Sequence, residues 1–142
     1  MIDKQMKDEQ MEVDIDIAEK PSKLIHDVSE LRVFQLAYRV SLEIHAASLG
    51  FPKIEQYDMG SQMRRASKSI CANLAEGFER QKASAADFRR FVVMALGSCG
   101  EMKLWLRYAK DLEYIEPKKA KEWFDVYADA ARMLHKLRAK IM

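Results

Sequence analysis

Glycine and proline are scarce, at five and three in 142 residues. So few breakers over this length argue for long helices and against many short strands joined by turns. Cysteine is limited to Cys71 and Cys99, which form no Cys-x-x-Cys or Cys/His ligand spacing. Both fall inside helical patterns and read as small buried hydrophobes in a reducing cytoplasm. Histidine is limited to His26, His45 and His135, on three different predicted elements, and the Glu-x-x-His pair of a di-iron bundle does not occur. Neither a metal nor a cofactor is expected. Apolar runs stop well short of the ~20 residues that a membrane span needs. Residues 1–20 carry charges throughout and lack the apolar stretch of a secretion signal. The expected location is therefore cytoplasmic.

Catalytic signatures are also missing. There is no Walker-type lysine loop and no Rossmann fingerprint. Ser67, Ser69 and Ser98 have no base at motif spacing except Lys68, which points elsewhere on the helix. Gly97-Ser98-Cys99-Gly100 spells GxxG, but in mid-helix rather than in the exposed loop that clamps a nucleic-acid backbone. An enzyme is not expected. An enzymatic alternative would need a pocket around Asn73, Glu76 and Glu101.

What is present is a chain of one domain's length, 49% hydrophobic and 32% charged, enough to bury a single core. Residues 1–27 are expected to form an acidic, flexible N-terminal tail, and 28–142 the folded domain. Residues 1–23 hold seven acids and four lysines, a net charge of −3, while the rest holds 20 basic and 15 acidic residues, a net +5. Such a balance permits a polyanionic partner. In the tail Val13, Ile15 and Ile17 alternate with Asp14 and Asp16, a period of two that suits a short strand or an extended segment on a partner.

Four helical patterns follow. The first starts near Asp27 or Ser29, runs through Leu31, Phe34, Leu36, Ala37, Val40, Ile44 and Ala47, and stops at Gly50. The second begins near Asp58 and ends around Phe78 to Arg80. Ser84 caps the third, which carries Phe88, Phe91, Val92, Ala95, Cys99, Met102, Leu106 and Ala109. Pro117 opens the fourth, with its stripe at Ala120, Trp123, Phe124, Tyr127, Ala131, Leu134, Leu137 and Ile141. Short links between long helices predict an all-α, antiparallel up-down-up-down four-helix bundle.

The second and third helices carry more than a core face. On the second, Met63, Ala66, Ile70, Leu74 and Gly77 form an apolar seam. Gln62, Ser69, Asn73 and Glu76 border it as a polar strip expected to be partly buried, and hence to fix helix register and partner identity. The third helix is apolar on more than half its circumference, with Val93, Leu96, Leu104, Trp105 and Tyr108 as a second face. Gly97 and Gly100 leave room for a neighbouring backbone. Surplus apolar surface is usually covered by another chain, so a homo-oligomer built on these helices is expected. A central position for the third helix would also explain its composition.

Basic residues supply the remaining lead. Arg64, Arg65 and Lys68 are placed on the outward side of the second helix. Arg80 and Lys82 are expected near Arg89 and Arg90 across the following turn. Such a cluster could neutralise phosphates, with sharp salt dependence. A solvated face balanced by Glu79 and Asp87 is the alternative. A second basic run, Arg132, His135, Lys136, Arg138 and Lys140, also complements the dipole of the last helix. Aromatics do not interleave with either cluster in the sequence, which favours backbone or shape recognition over base stacking.

At these residues the chain resembles the small four-helix bundle proteins encoded within intervening sequences of bacterial 23S rRNA genes. The matching stretches are Gln62-Met63-Arg64-Arg65-Ala66, Ser69-Ile70 and Asn73-Leu74-Ala75-Glu76-Gly77. Phe88, Arg90-Phe91, Ala95, Gly97-Ser98 and Glu101 follow downstream, with Phe34, Ala37 and Phe51-Pro52 upstream. Cys71 departs from the pattern, which commonly has proline after Ser-Ile. The resemblance implies a homopentameric barrel, no catalysis, and a role with rRNA inferred from gene position. A related group of similar fold, the accessory variability proteins of diversity-generating retroelements, implies an alternative: binding to a reverse transcriptase and its template RNA. A protein-interaction scaffold without nucleic acid is a further alternative.

Overall fold

A computed structural model describes residues 25–141, and the tail pattern around Val13 to Ile17 lies outside the described residues. The described chain is all-α, with four long helices: α1 (Arg32–Ser48), α2 (Met59–Arg80), α3 (Ala85–Asp111) and α4 (Pro117–Lys140). Two short 3-10 turns, Val28–Glu30 and Lys53–Glu55, precede α1 and α2.

Local chemistry sets several boundaries. Ser84 caps α3 as expected, its hydroxyl accepting from the Asp87 backbone N–H at 3.0 Å. Pro117 occupies the first turn of α4, where its missing N–H costs nothing. The start of α1 differs from the sequence reading. Asp27 caps a 3-10 turn rather than the helix, accepting from the Ser29 backbone N–H at 2.9 Å. Leu31 is then extended, which turns its side chain into the core, and the helix begins after it. α1 ends at Ser48 with Leu49 as its C-cap, so Gly50 follows the end as expected, but without a positive φ. Side chains close that turn instead: Gln56 Nε2 donates to the carbonyls of Ser48 and Phe51 at 3.0 and 2.9 Å. After α3 the chain reverses through Glu113, whose φ of 65° is the positive value among the described non-glycine residues.

Each helix buries one stripe. Val33, Leu36, Ala37, Val40 and Ile44 of α1 meet Met63, Ala66, Ile70 and Leu74 of α2. The core continues through Val92, Ala95, Cys99, Met102 and Leu106 of α3 to Tyr127 and Leu134 of α4. α2 packs against α1 and α3, and α4 against α3 and α1. Trp123 ties α4 to α1 by donating Nε1–H to Glu43 at 2.8 Å. Burial pushes the thiols of Cys71 and Cys99 up to about 12. The stability carried by the protonated thiols is complete below pH 9 and is lost as pH rises toward 12. No described helix is long and apolar enough to cross a membrane.

Candidate assembly face and basic turn

The contact between α2 and α3 positions most of the residues singled out in the sequence. Gly77 is the pivot of their closest approach. A Cβ there would sit 2.8 Å from Phe91 Cβ and 3.0 Å from Phe88 Cδ1. With no side chain at 77, the two helices close until Phe78 and Phe88 meet edge to face at 6.2 Å. Gly77 therefore serves packing within one chain.

The polar strip flanks the same contact. Ser69 Oγ lies 2.6 Å from Ser98 Oγ, and Asn73 donates to the Ser69 carbonyl at 2.9 Å. Arg65 pairs with Glu101 at 3.5 Å across the helices and also donates to Gln62. Glu101 in turn accepts from Trp105 Nε1 at 3.0 Å. Two of these contacts, Ser69–Ser98 and Arg65–Glu101, cross from α2 to α3 and set their register within one chain. Glu76 differs from expectation: it is exposed, because Arg80, four residues on, draws it along the surface at 2.8 Å. Asn73, Glu76 and Glu101 thus turn to three different partners and do not form a pocket together.

The basic trio on α2 divides. Arg64 was placed outward by the helical wheel, but its side chain bends toward the end of α1. There it donates to Ser48 Oγ at 2.8 Å and to the Gln56 carbonyl at 2.7 Å, satisfying groups the turn leaves open. A guanidinium so occupied is a poor phosphate ligand. Lys68 is exposed on the same side, with Nζ 2.9 Å from His45 Nδ1. Arg65 is exposed on the α3 side.

At the α2–α3 turn the expected cluster does come together, in part. Arg80 and Arg90 both reach Asp87, at 3.6 and 3.4 Å, and both lie over the Phe91 ring, at 5.3 and 4.6 Å from its centroid. Glu76 first, and then Asp87, hold the Arg80 proton more firmly than in free arginine. Lys82 is exposed in the turn itself. Arg89 points the other way and donates to the Ile141 carbonyl at 3.0 Å, joining the start of α3 to the end of α4. An aromatic ring thus does interleave with the cations, contrary to the sequence reading. The spacing of Phe91 matches the core stripe, but the ring lies at the core's edge, where two guanidinium groups cover it.

The outer face of α3 is apolar. Val93, Met94, Leu104 and Tyr108 are 44 to 50% exposed and lie opposite the buried stripe. Gly97 and Gly100 sit among them, and a Cβ at either would meet nothing within 4 Å. Two open hollows, of about 550 and 840 Å³, lie elsewhere, beside the α3–α4 turn, and none of the candidate residues lines them. Among the described residues no group of three or more His, Cys, Asp and Glu side chains is placed to hold a metal ion.

These features define an all-α protein of four long helices with a close α2–α3 contact, an outward apolar strip and a cationic turn. The chain belongs to the 23S rRNA-intervening sequence protein family, whose model matches residues 29–136. The resemblance read from helices α2 and α3 holds at that level. A solved structure of a Bacteroides thetaiotaomicron VPI-5482 protein of unknown function, described as from the S23 ribosomal protein family, has the same fold. It aligns with a TM-score of 0.69 at 21% identity, over 76% of this chain and 96% of that one. No curated protein matches the chain.

Proposed function

We propose that this protein is a non-catalytic, homo-oligomeric bundle that associates with RNA through its α2–α3 turn. Partner residues rise on one helix as they fall on the next (Phe34 with Cys71 and Ser48 with Arg64; Ser69 with Ser98 and Arg65 with Glu101), which supports an up-down-up-down arrangement. The exposed strip on α3 supports self-association, and a pentameric ring is the assembly the family resemblance implies.

The observation that carries the RNA reading is the pair of guanidinium groups over Phe91, beside exposed Lys82. Guanidinium planes lying over a ring can themselves stack on a base. Among the described residues, exposed Lys82 beside them is the group free of a carboxylate partner within 4 Å that can meet phosphate. Arg65 and Lys68 add positive charge farther along α2. rRNA is the partner that the family description favours. Replacing Arg80, Lys82 and Arg90 together by glutamine should weaken binding to poly(U) by about tenfold or more at 100 mM salt. It should also reduce the slope of log affinity against log salt by about 2. Equal affinity of parent and variant at low and moderate salt would remove the reading.

The α3 strip also supports a second reading, in which it receives a protein such as a reverse transcriptase and RNA is secondary. Capture of such a protein that survives nuclease treatment, and is lost on charging the strip, would favour it.

A further inference from the structure

Two rows of uncharged residues face outward on helices that do not touch. α1 carries Gln35, Tyr38, Leu42, Ala46 and Leu49 at steps of three and four, all of them exposed. α3 carries Val93, Gly97, Gly100, Leu104 and Tyr108 in the same way. Each row lies opposite its own helix's buried stripe. α1 packs on α2 and α4 and not on α3, so α1 and α3 are diagonal in the bundle and their rows look away from each other. Each row runs for about four turns without a charge, which is the composition of an interface core rather than of a solvated face.

The rows also stand at the same level along the bundle. On the α2 side His45 meets Lys68, and Ser69 next to it meets Ser98. On the α4 side Glu43 accepts from Trp123, and Lys103 lies over the adjoining Phe124. Taken together, these pairs put Leu42 level with Gly97 and Gly100, and Leu49 level with Leu104 and Tyr108, to within about a turn. In the up-down order proposed above α1 and α3 rise together, so Tyr38 falls near Val93. Copies related by rotation about an axis along the bundle are not shifted along that axis, and faces that join them must match in level. The glycines complete the fit. A Cβ at Gly97 or Gly100 would meet nothing in its own chain, so packing within the subunit does not account for either. Two missing side chains on one face leave a bay for a side chain from outside, and Leu42 stands at that height.

The area is sufficient. Half exposed, a large apolar side chain offers on the order of 100 Å². Tyr38, Leu42 and Leu49 against Val93, Leu104 and Tyr108 would bury roughly 600 Å² in all. That is close to the apolar share, ~57%, of the ~1,200 Å² at which specific interfaces begin. We propose that the α3 row receives the α1 row of a second copy, with Leu42 entering the bay at Gly97 and Gly100, so that copies join head to tail with their bundles side by side. This rests on the self-association proposed above and names its contact. A symmetric α3-to-α3 pair would leave the α1 row bare on both copies. The head-to-tail contact covers both rows of every copy in a closed ring with one kind of interface.

Two full-length variants, each damaged on one row, test this. One carries Leu42→Arg with Leu49→Arg, the other Val93→Arg with Leu104→Arg. In sedimentation velocity at micromolar concentration each alone should run as a single chain, its dissociation constant raised at least 100-fold. Mixed in equal amounts they should form a one-to-one pair and nothing larger, because one intact α1 row and one intact α3 row remain. Pairing also shows that both variants are folded. A third variant, Gly100→Leu, fills the bay, and its Cβ meets nothing in its own chain. It should weaken assembly at least tenfold with its melting temperature kept. An α1-row variant that assembles like the parent would overturn the contact and leave self-association to another face. A mixture that stays as single chains would overturn it too. A parent protein that itself runs as a single chain would remove the self-association, and the contact with it.

Discussion

Gly77→Val should lower the stability of the fold by about 3 kcal/mol, the upper part of the usual range for overpacking. Cβ would meet Phe91 Cβ at 2.8 Å, and that atom is tied to its backbone and cannot swing aside. The added atoms therefore force α2 and α3 apart, which opens the contact between Phe78 and Phe88 and strains the Ser69–Ser98 register. Gly77→Ala should cost less, about 1 kcal/mol, because alanine regains up to ~1 kcal/mol of helix propensity. Thermal and urea unfolding of both variants give the measurement. A melting temperature for Gly77→Val within 2 °C of the parent would mean that the helices are not this close.

A second large effect is expected on assembly. Val93 and Leu104 stand on the outer face of α3, half exposed, with Gly97 and Gly100 between them. Changing both to arginine puts two charges where another copy would have to bury apolar surface. The dissociation constant should rise at least 100-fold, which corresponds to about 2.7 kcal/mol. The helical circular dichroism should be unchanged, since neither side chain enters the core. Sedimentation velocity at micromolar concentration separates the outcomes. A parent protein that already runs as a folded single chain would dismiss the assembly, and with it the need for the strip.

Helix positions were legible where a local rule decides them. Ser84 and Pro117 each start a helix by satisfying or sparing backbone N–H groups, and that chemistry is visible in a few consecutive residues. The entry of α1 and the closure of its exit were not legible, because Leu31 and Gln56 act on parts of the chain brought near only by folding. The same limit divides the basic residues. A helical wheel gives the direction in which a side chain leaves the backbone, and Arg65 and Lys68 are exposed where it places them. It cannot say where a long side chain ends. Arg64 leaves outward and then bends to the α1 carbonyl end, while Arg89 crosses to Ile141. Phe91 shows the converse. Its spacing matches the core, yet it lies where α3 has only the tip of α2 beside it, and that edge turns a packing residue into the floor of a cationic site.

The two sulfurs have a practical consequence. With Cys99 buried, Cys71 half-buried and both thiols held protonated into alkali, the native protein should be slow to oxidise in air at neutral pH. Purification without reductant should leave it intact for days. Any covalent ladder on a non-reducing gel would then count molecules that had come apart before they were joined.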